Sequence, residues 1–254
     1  MGKRFILLLV ILFFASFWYA GGHNLINLVI PSSKQAEQTM TSLGSGWDKF
    51  YRVIALKTAV NKRLDKKNYV LLKDIPLTMQ QAIISVEDNR YYRHVGFDIE
   101  GILRATLVNL QTGTIVEGGS TITQQLVRNL FLTHDRSVSR KVEEIVLAVD
   151  MELRFTKEEI LEMYLNSVYY GSGTYGIGPA SKGYFGKEPA KLNLAESSML
   201  AGLPNAPSLI SPYVNLSAAK ERQAVVLSTM VKNGYIGPSL AEEAKQTILR
   251  FVKQ

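Results

Sequence analysis

From Asp74 onward the apolar residues recur every three or four positions, and nowhere do they alternate convincingly over the length of a strand. Met79, Ala82, Ile83 and Val86 follow Pro76, with Thr78 and Gln81 at capping-box spacing. Ile122, Leu126 and Leu130 form one stripe after Gly118-Gly119. Val142, Ile145, Val146, Val149 and Leu153 form another, on a helix expected to begin near Ser139. Thr156 and Glu159 repeat the capping-box spacing and open a helix with Ile160, Leu161, Tyr164, Leu165 and Val168 inward, stopping at Gly171. Further helices are predicted at 191–202, 217–233 and 239–252. The fold class is therefore predominantly α. With no cysteine in 254 residues, disulfides, thiolate metal sites and a cysteine nucleophile are excluded. Three scattered histidines, His23, His94 and His134, argue against a multi-histidine metal site.

The N-terminus sets the compartment. Phe5 to Ala20 is apolar apart from Ser16, and extended to Gly22 it covers about 27 Å as a helix, close to a bilayer core of about 30 Å. Trp18 and Tyr19 stand at the far end, where interfacial aromatics belong. Lys3 and Arg4 precede the run and no basic residue directly follows it, which predicts a cytoplasmic N-terminus and an exported remainder. Ala20-Gly21-Gly22 also suits signal-peptide cleavage, the rival to an uncleaved anchor; we favour the anchor. The expected organisation is an anchor at 1–22, a membrane-proximal segment at 23–70 with a basic cluster from Lys57 to Lys67, and a helical domain at 71–254. The net charge of +7 suits an anionic partner, and export makes nucleic acid a poor one.

Gly171-Ser172-Gly173-Thr174-Tyr175-Gly176 matches a dinucleotide-loop pattern, but a capped helix precedes it where that loop needs a strand. A tight turn is the better reading. Three other stretches carry chemistry. In the first, Glu87 falls beside the apolar stripe and Asp88 opposite it, with the helix turning near His94 and Gly96. Partial burial of Glu87 would raise its pKa and suit a general acid or base; the bland alternative is a structural ion pair. In the second, Gly118-Gly119 before a helix should leave backbone N–H groups pointed outward, a seat for phosphate, with Thr121, Gln125 and Arg128 in a polar row opposite the apolar stripe. A capped surface helix would look the same. In the third, Arg136, Arg140 and Lys141 precede Glu144, which lies among Leu147, Ala148 and Met151. That is either an ion pair or part of an active site. Two separated carboxylates, cations and an anion seat suit transfer from a phosphate leaving group; a glycosidase would also use two carboxylates.

Four motifs then carry a resemblance. They are Glu87-Asp88-x-x-Tyr91-x-x-His94-x-Gly96-x-Asp98, Gly119-Ser120-Thr121-Ile122-Thr123-Gln124-Gln125, Arg140-Lys141-x-x-Glu144 and Lys157-x-x-Ile160-Leu161-Glu162-x-Tyr164-Leu165-Asn166. In order and spacing they resemble the peptidoglycan glycosyltransferases, the lipid II polymerases found alone or fused to penicillin-binding transpeptidase domains. Arg222-x-x-x-Val226-Leu227 also looks like that family. The resemblance runs from about Leu72 to Ile236, and the chain ends soon after, which implies the monofunctional, membrane-anchored form.

The resemblance implies a lysozyme-like glycosyltransferase domain with a membrane-proximal jaw, preceded by one N-terminal transmembrane helix, in the bacterial cytoplasmic membrane with the catalytic domain outside. It makes Glu87 the base that deprotonates the acceptor 4-hydroxyl. Arg128, Arg136, Arg140 and Lys141 would hold the donor diphosphate, and Glu144 would support the leaving group or order that basic cluster. Asp88, His94, Ser120, Thr121, Gln124, Gln125 and Asn166 would complete the substrate site. The partners implied are lipid II, the nascent glycan strand and the membrane, with room for other cell-wall synthesis or division proteins. No cofactor is required, and a divalent cation, Mg or Mn, at the diphosphate is compatible with the family. Tyr91 stands where the family usually has Phe, and Arg128 where Lys is common. The rivals are a lysozyme-like enzyme that cleaves peptidoglycan and a non-catalytic, membrane-anchored scaffold that binds lipid II.

Overall fold

A computed structural model describes residues 56–113, 118–132 and 137–252. The apolar run at the N-terminus and Arg136 lie outside the described residues. Lys57–Gln254 forms one compact unit, which holds the elements discussed below apart from Leu56, the first residue of the first helix.

Ten α-helices occur among the described residues: α1 Leu56–Arg63, α2 Leu77–Glu87, α3 Ile99–Thr112, α4 Ile122–Phe131, α5 Val138–Arg154, α6 Lys157–Ser167, α7 Ile177–Phe185, α8 Leu194–Gly202, α9 Leu216–Lys232 and α10 Pro238–Gln246. No strand is present among them, only the isolated bridges Val95–Phe97 and Tyr169–Tyr175. Helices α2, α8 and α9 pack together, with α10 on α9; α4 packs on α5 and α6. The first group buries Met79, Ala82, Ile83, Met199, Leu200, Val226 and Leu227, and the second Ile122, Leu126, Met151, Ile160, Leu161 and Leu165. The bonds that join them cluster at the C-terminal end of α2.

The helices depart from expectation in several places. The box at Thr78 and Gln81 does not form: α2 starts directly after Pro76, so Thr78 sits inside the first turn, 3.4 Å from the Ser197 hydroxyl. The same helix ends at Glu87 instead of running on towards His94, because Asp88 leaves helical geometry (φ −160°, ψ 75°) as its carboxylate turns inward.

Helices α3 and α7 were not expected. In α3 the apolar residues Ile99, Leu103, Leu107 and Leu110 recur at helical spacing, but that stripe is exposed. In α7, Gly178 and Pro179 are poor helix formers, yet a Cβ on Gly178 would come within 2.9 Å of the Asn68 carbonyl oxygen.

On α5 the buried face is Glu144, Leu147, Ala148, Met151 and Glu152, not the predicted stripe, whose Val142 is 55% exposed. Two charged residues on the inner face disguise it. Helix α6 stops at Ser167, short of the expected end at Gly171, and Val168 is already extended. The glycine turn that follows carries positive φ at Gly171, Ser172, Gly173 and Gly176, as a tight loop requires. Last, α10 stops at Gln246. The chain beyond it is extended, with the Val252 N–H donating to the Tyr184 carbonyl at 2.9 Å and Phe251 stacked on Phe185.

Residues 57–70 belong to the same compact unit. The Lys57 ammonium lies over the Phe155 ring and the Arg63 guanidinium over Phe131, so part of the basic cluster packs on aromatic faces. Asn166 pins the chain at Val70, accepting from its N–H and donating to its carbonyl, both at 2.8 Å.

Candidate active site

Glu87 closes α2 where the two helix groups meet, and its side chain is only 10% exposed. Its Oε2 accepts from Gln125 Nε2 of α4 at 2.7 Å. The Tyr164 hydroxyl of α6 donates to Gln125 Oε1 at 3.2 Å, which sets the amide so that its nitrogen must face the carboxylate. Glu87 Oε1 has no hydrogen-bond partner among the described residues, and Arg222 Nη2 of α9 lies 3.9 Å from it. Burial pushes the Glu87 carboxyl above its ordinary range. The Gln125 bond and the charges of Arg222 and Arg128 pull it down, and Asp88 pushes it up. The phenols of Tyr164 and Tyr170 are raised by burial and by Glu87, so both stay neutral. The result is a buried carboxylate with a raised pKa, one oxygen held and the other without a hydrogen-bond partner among the described residues.

Asp88 does different work. Its carboxylate is buried, contacts His94 Nε2 through both oxygens at 3.0 and 2.9 Å, and accepts the Ile122 N–H of α4 on Oδ2 at 3.0 Å. The Thr121 hydroxyl donates to the Gly96 carbonyl at 2.7 Å and accepts the Gln124 N–H, while Gln124 Oε1 accepts the Thr121 N–H: a complete capping box. The open anion seat expected at this helix N-terminus is therefore filled by the protein's own carboxylate, and the expected polar row is buried at Thr121 and Gln125. Gly96 makes this closure feasible. At φ +82° it lies so near α5 that a Cβ would meet the Ala148 carbonyl at 2.8 Å.

Glu144, 0% exposed, sits on the inner face of α5. Arg140 Nη1 donates to its Oε2 at 2.7 Å, and Lys141 Nζ to its Oε1. Lys141 also reaches the Ser120 hydroxyl at 3.2 Å. One buried carboxylate thus holds two cations side by side against their mutual repulsion, with Lys141 the more exposed of the two. Arg128, on the partly open part of α4, makes no ion pair among the described residues and acts on Glu87 through its charge.

The sequence model of the family described as Transglycosylase matches residues 55–231. The chain belongs to this family. It is 43% identical over 191 residues to penicillin-binding protein 1A of Aquifex aeolicus, covering 75% of this chain and 26% of that protein. It is 48% identical over 167 residues to penicillin-binding protein 1A of Escherichia coli, 66% of this chain and 20% of that one. With penicillin-binding protein 2D of Bacillus subtilis the identity is 45% over 179 residues, 70% and 26% of the two chains. The chain therefore spans about a quarter or less of the length of these curated relatives. Its structure is similar to penicillin-binding protein 1A from Haemophilus influenzae at TM-score 0.43 and 24% identity, over 73% of this chain and 18% of that one.

Of the residues read from the sequence, the structure brings Glu87, Gln125 and Arg128 into one site and ties Ser120, Arg140, Lys141 and Glu144 into a second cluster. Asp88, His94, Thr121 and Gln124 face inward and brace the start of α4. Asn166 bonds Val70 and the Glu162 carbonyl and meets none of the Glu87 partners. Tyr164, Tyr170 and Arg222 were not assigned a role from the sequence. Arg222 lay in a family-like stretch, but nothing local says that it faces Glu87 from another helix. The hydroxyl that Tyr91 adds donates to the Lys157 carbonyl at 2.6 Å, so the departure from Phe is absorbed by packing.

Proposed function

We propose that this transglycosylase polymerises lipid II into peptidoglycan strands. The observation that carries the reading is the pairing of a buried carboxylate having one free oxygen with a cation pair ordered by a second carboxylate. Glu87 accepts the proton of the acceptor 4-hydroxyl. The freed oxygen attacks the anomeric carbon of the lipid-linked chain with inversion, forming a β-1,4 link, and undecaprenyl pyrophosphate leaves. Arg128, Arg140 and Lys141 carry the charge that develops on the diphosphate, and Arg136 joins them on the sequence reading. Both Glu144 oxygens are engaged by Arg140 and Lys141, which suits ordering of the cations more than contact with the leaving group. Among the described residues no group of three or more His, Cys, Asp or Glu could hold a metal ion.

The basic cluster favours synthesis over hydrolysis, since a hydrolase has no diphosphate to hold. The domain is read as lysozyme-like, with α3 in the membrane-proximal jaw. Ile99, Leu103, Leu107 and Leu110 leave α3 apolar on its exposed side, and its Ile102 packs on Gly119, next to the residue that Lys141 contacts. An apolar face beside cations suits a lipid diphosphate at a bilayer surface. No helix among the described residues is long and apolar enough to cross a membrane. The proposed single-pass anchoring, N-terminus in the cytoplasm and domain outside, rests on Phe5 to Ala20.

Purified full-length protein incubated with lipid II should yield long glycan polymer. Shortening of preformed glycan without polymer from lipid II would overturn the reading in favour of the hydrolase. Arg128→Ala should weaken binding of a lipid-linked donor analogue about tenfold or more, with Arg128→Lys retaining most of it because the charge survives. Equal affinity of Ala and wild type would place the diphosphate elsewhere.

A further inference from the structure

Arg222 is a partly buried guanidinium with one ion-pair partner among the described residues, Glu87. It is placed by close packing: a Cβ on Gly202 of α8 would fall 2.9 Å from Arg222 Cγ, so only glycine lets the side chain lie there undisturbed. Its Nη2 stands 3.9 Å from Glu87 Oε1, within Coulomb reach but beyond hydrogen-bond range. Oε1 accepts from no donor among the described residues, and Oε2 is taken by Gln125.

We propose that Arg222 is the positioning counter-charge of the base: it holds Glu87 as the anion from a distance and so leaves Oε1 as the oxygen that takes the acceptor proton. This rests on the reading of Glu87 as base. A guanidinium bonded directly to Oε1 would stabilise the anion too, but it would occupy the lone pair the proton needs. At 3.9 Å the charge acts and the lone pair stays open. In the step itself the acceptor O–H bond breaks and the proton moves to Oε1. The electron pair left on oxygen forms the bond to the anomeric carbon, as that carbon's bond to the diphosphate oxygen breaks and its pair departs with the diphosphate.

The groups that face Glu87 are Arg222 from α9, Gln125 and Arg128 from α4, Tyr164 from α6, Tyr170 from the following loop, and neighbouring Asp88. Burial and Asp88 favour the protonated acid, and both phenols stay neutral. The charges of Arg222 and Arg128 favour the anion.

The test is the pH profile of lipid II turnover by the full-length chain. Turnover rises with pH as Glu87 ionises. In Arg222→Gln that rising limb should move up by about 1 pH unit or more, with activity regained at high pH. Arg222→Lys should hold the limb near wild type. A structural role or a substrate contact would lower turnover or raise KM and leave the limb in place, so an unmoved limb overturns the proposal whether activity is kept or lost. Should Arg222→Gln fail to fold, Gly202→Ala displaces the same side chain and must shift the limb in the same direction. Glu87→Gln separates the two ideas: if it is inactive while the Arg222 limb stays fixed, the counter-charge proposal alone fails. If it keeps turnover, the reading of Glu87 as base fails.

Discussion

Glu87→Gln is expected to lower lipid II turnover by a factor of about 10²–10⁴ at pH values where the wild-type carboxylate is ionised, the usual cost of losing a general base. The amide is nearly isosteric and can still accept from Gln125 Nε2, so the geometry at the end of α2 survives. The effect on stability runs the other way. Burial raises the Glu87 pKa, so the folded chain binds this proton more tightly than the unfolded chain does. The stability it contributes is fully present below the unfolded value, near 4.5, and is lost as pH rises through the folded value. In its ionised form the buried carboxylate burdens the fold, and Gln relieves that burden. Thermal melts of the variant should match or exceed wild type, while its turnover collapses. Near-normal turnover with an unchanged melting curve would remove Glu87 from the role of base.

Asp88→Ala should act on the fold. It strips the acceptor from His94 Nε2 and from the Ile122 N–H at once, in a region closed to solvent. Two buried donors left without partners, one of them at a helix N-terminus, cost about 2–5 kcal/mol, or roughly 5–15 °C in melting temperature for a domain of this size. Asp88→Asn keeps one acceptor oxygen and should recover part of the loss. Differential scanning calorimetry reads both. A melting curve unchanged in Asp88→Ala would mean that its carboxylate is not what seats α4, and would make Asp88 a substrate contact again.

These two adjacent residues show how the sequence is read well and where it stops. The apolar neighbours of Glu87 already implied a half-buried acid. Asp88, placed on the opposite side of an assumed helix, pointed to solvent; the helix ends one residue earlier, and the same side chain turns into the core. Likewise, Gly118-Gly119 before α4 suggested an open N-terminus, although Thr121 and Gln124 stand at capping-box spacing.

By itself the sequence determined the helical class, most helix positions, the ordered motifs and the charged residues that carry the chemistry. These are local properties: a 3.6-residue period and a cap are written within a few positions of one another. Only the tertiary structure decided that α5 buries Glu144 and Glu152 rather than Val142, that Asp88 serves α4, and that Arg222 meets Glu87 across two helices. A helix with two apolar stripes satisfies its own backbone whichever stripe faces inward. The choice depends on which partners are waiting, and for Glu144 these are Arg140, Lys141 and the packed residues around them. Which charges neutralise one another is set by distance in space, and that distance exists only once α2, α4 and α9 have packed.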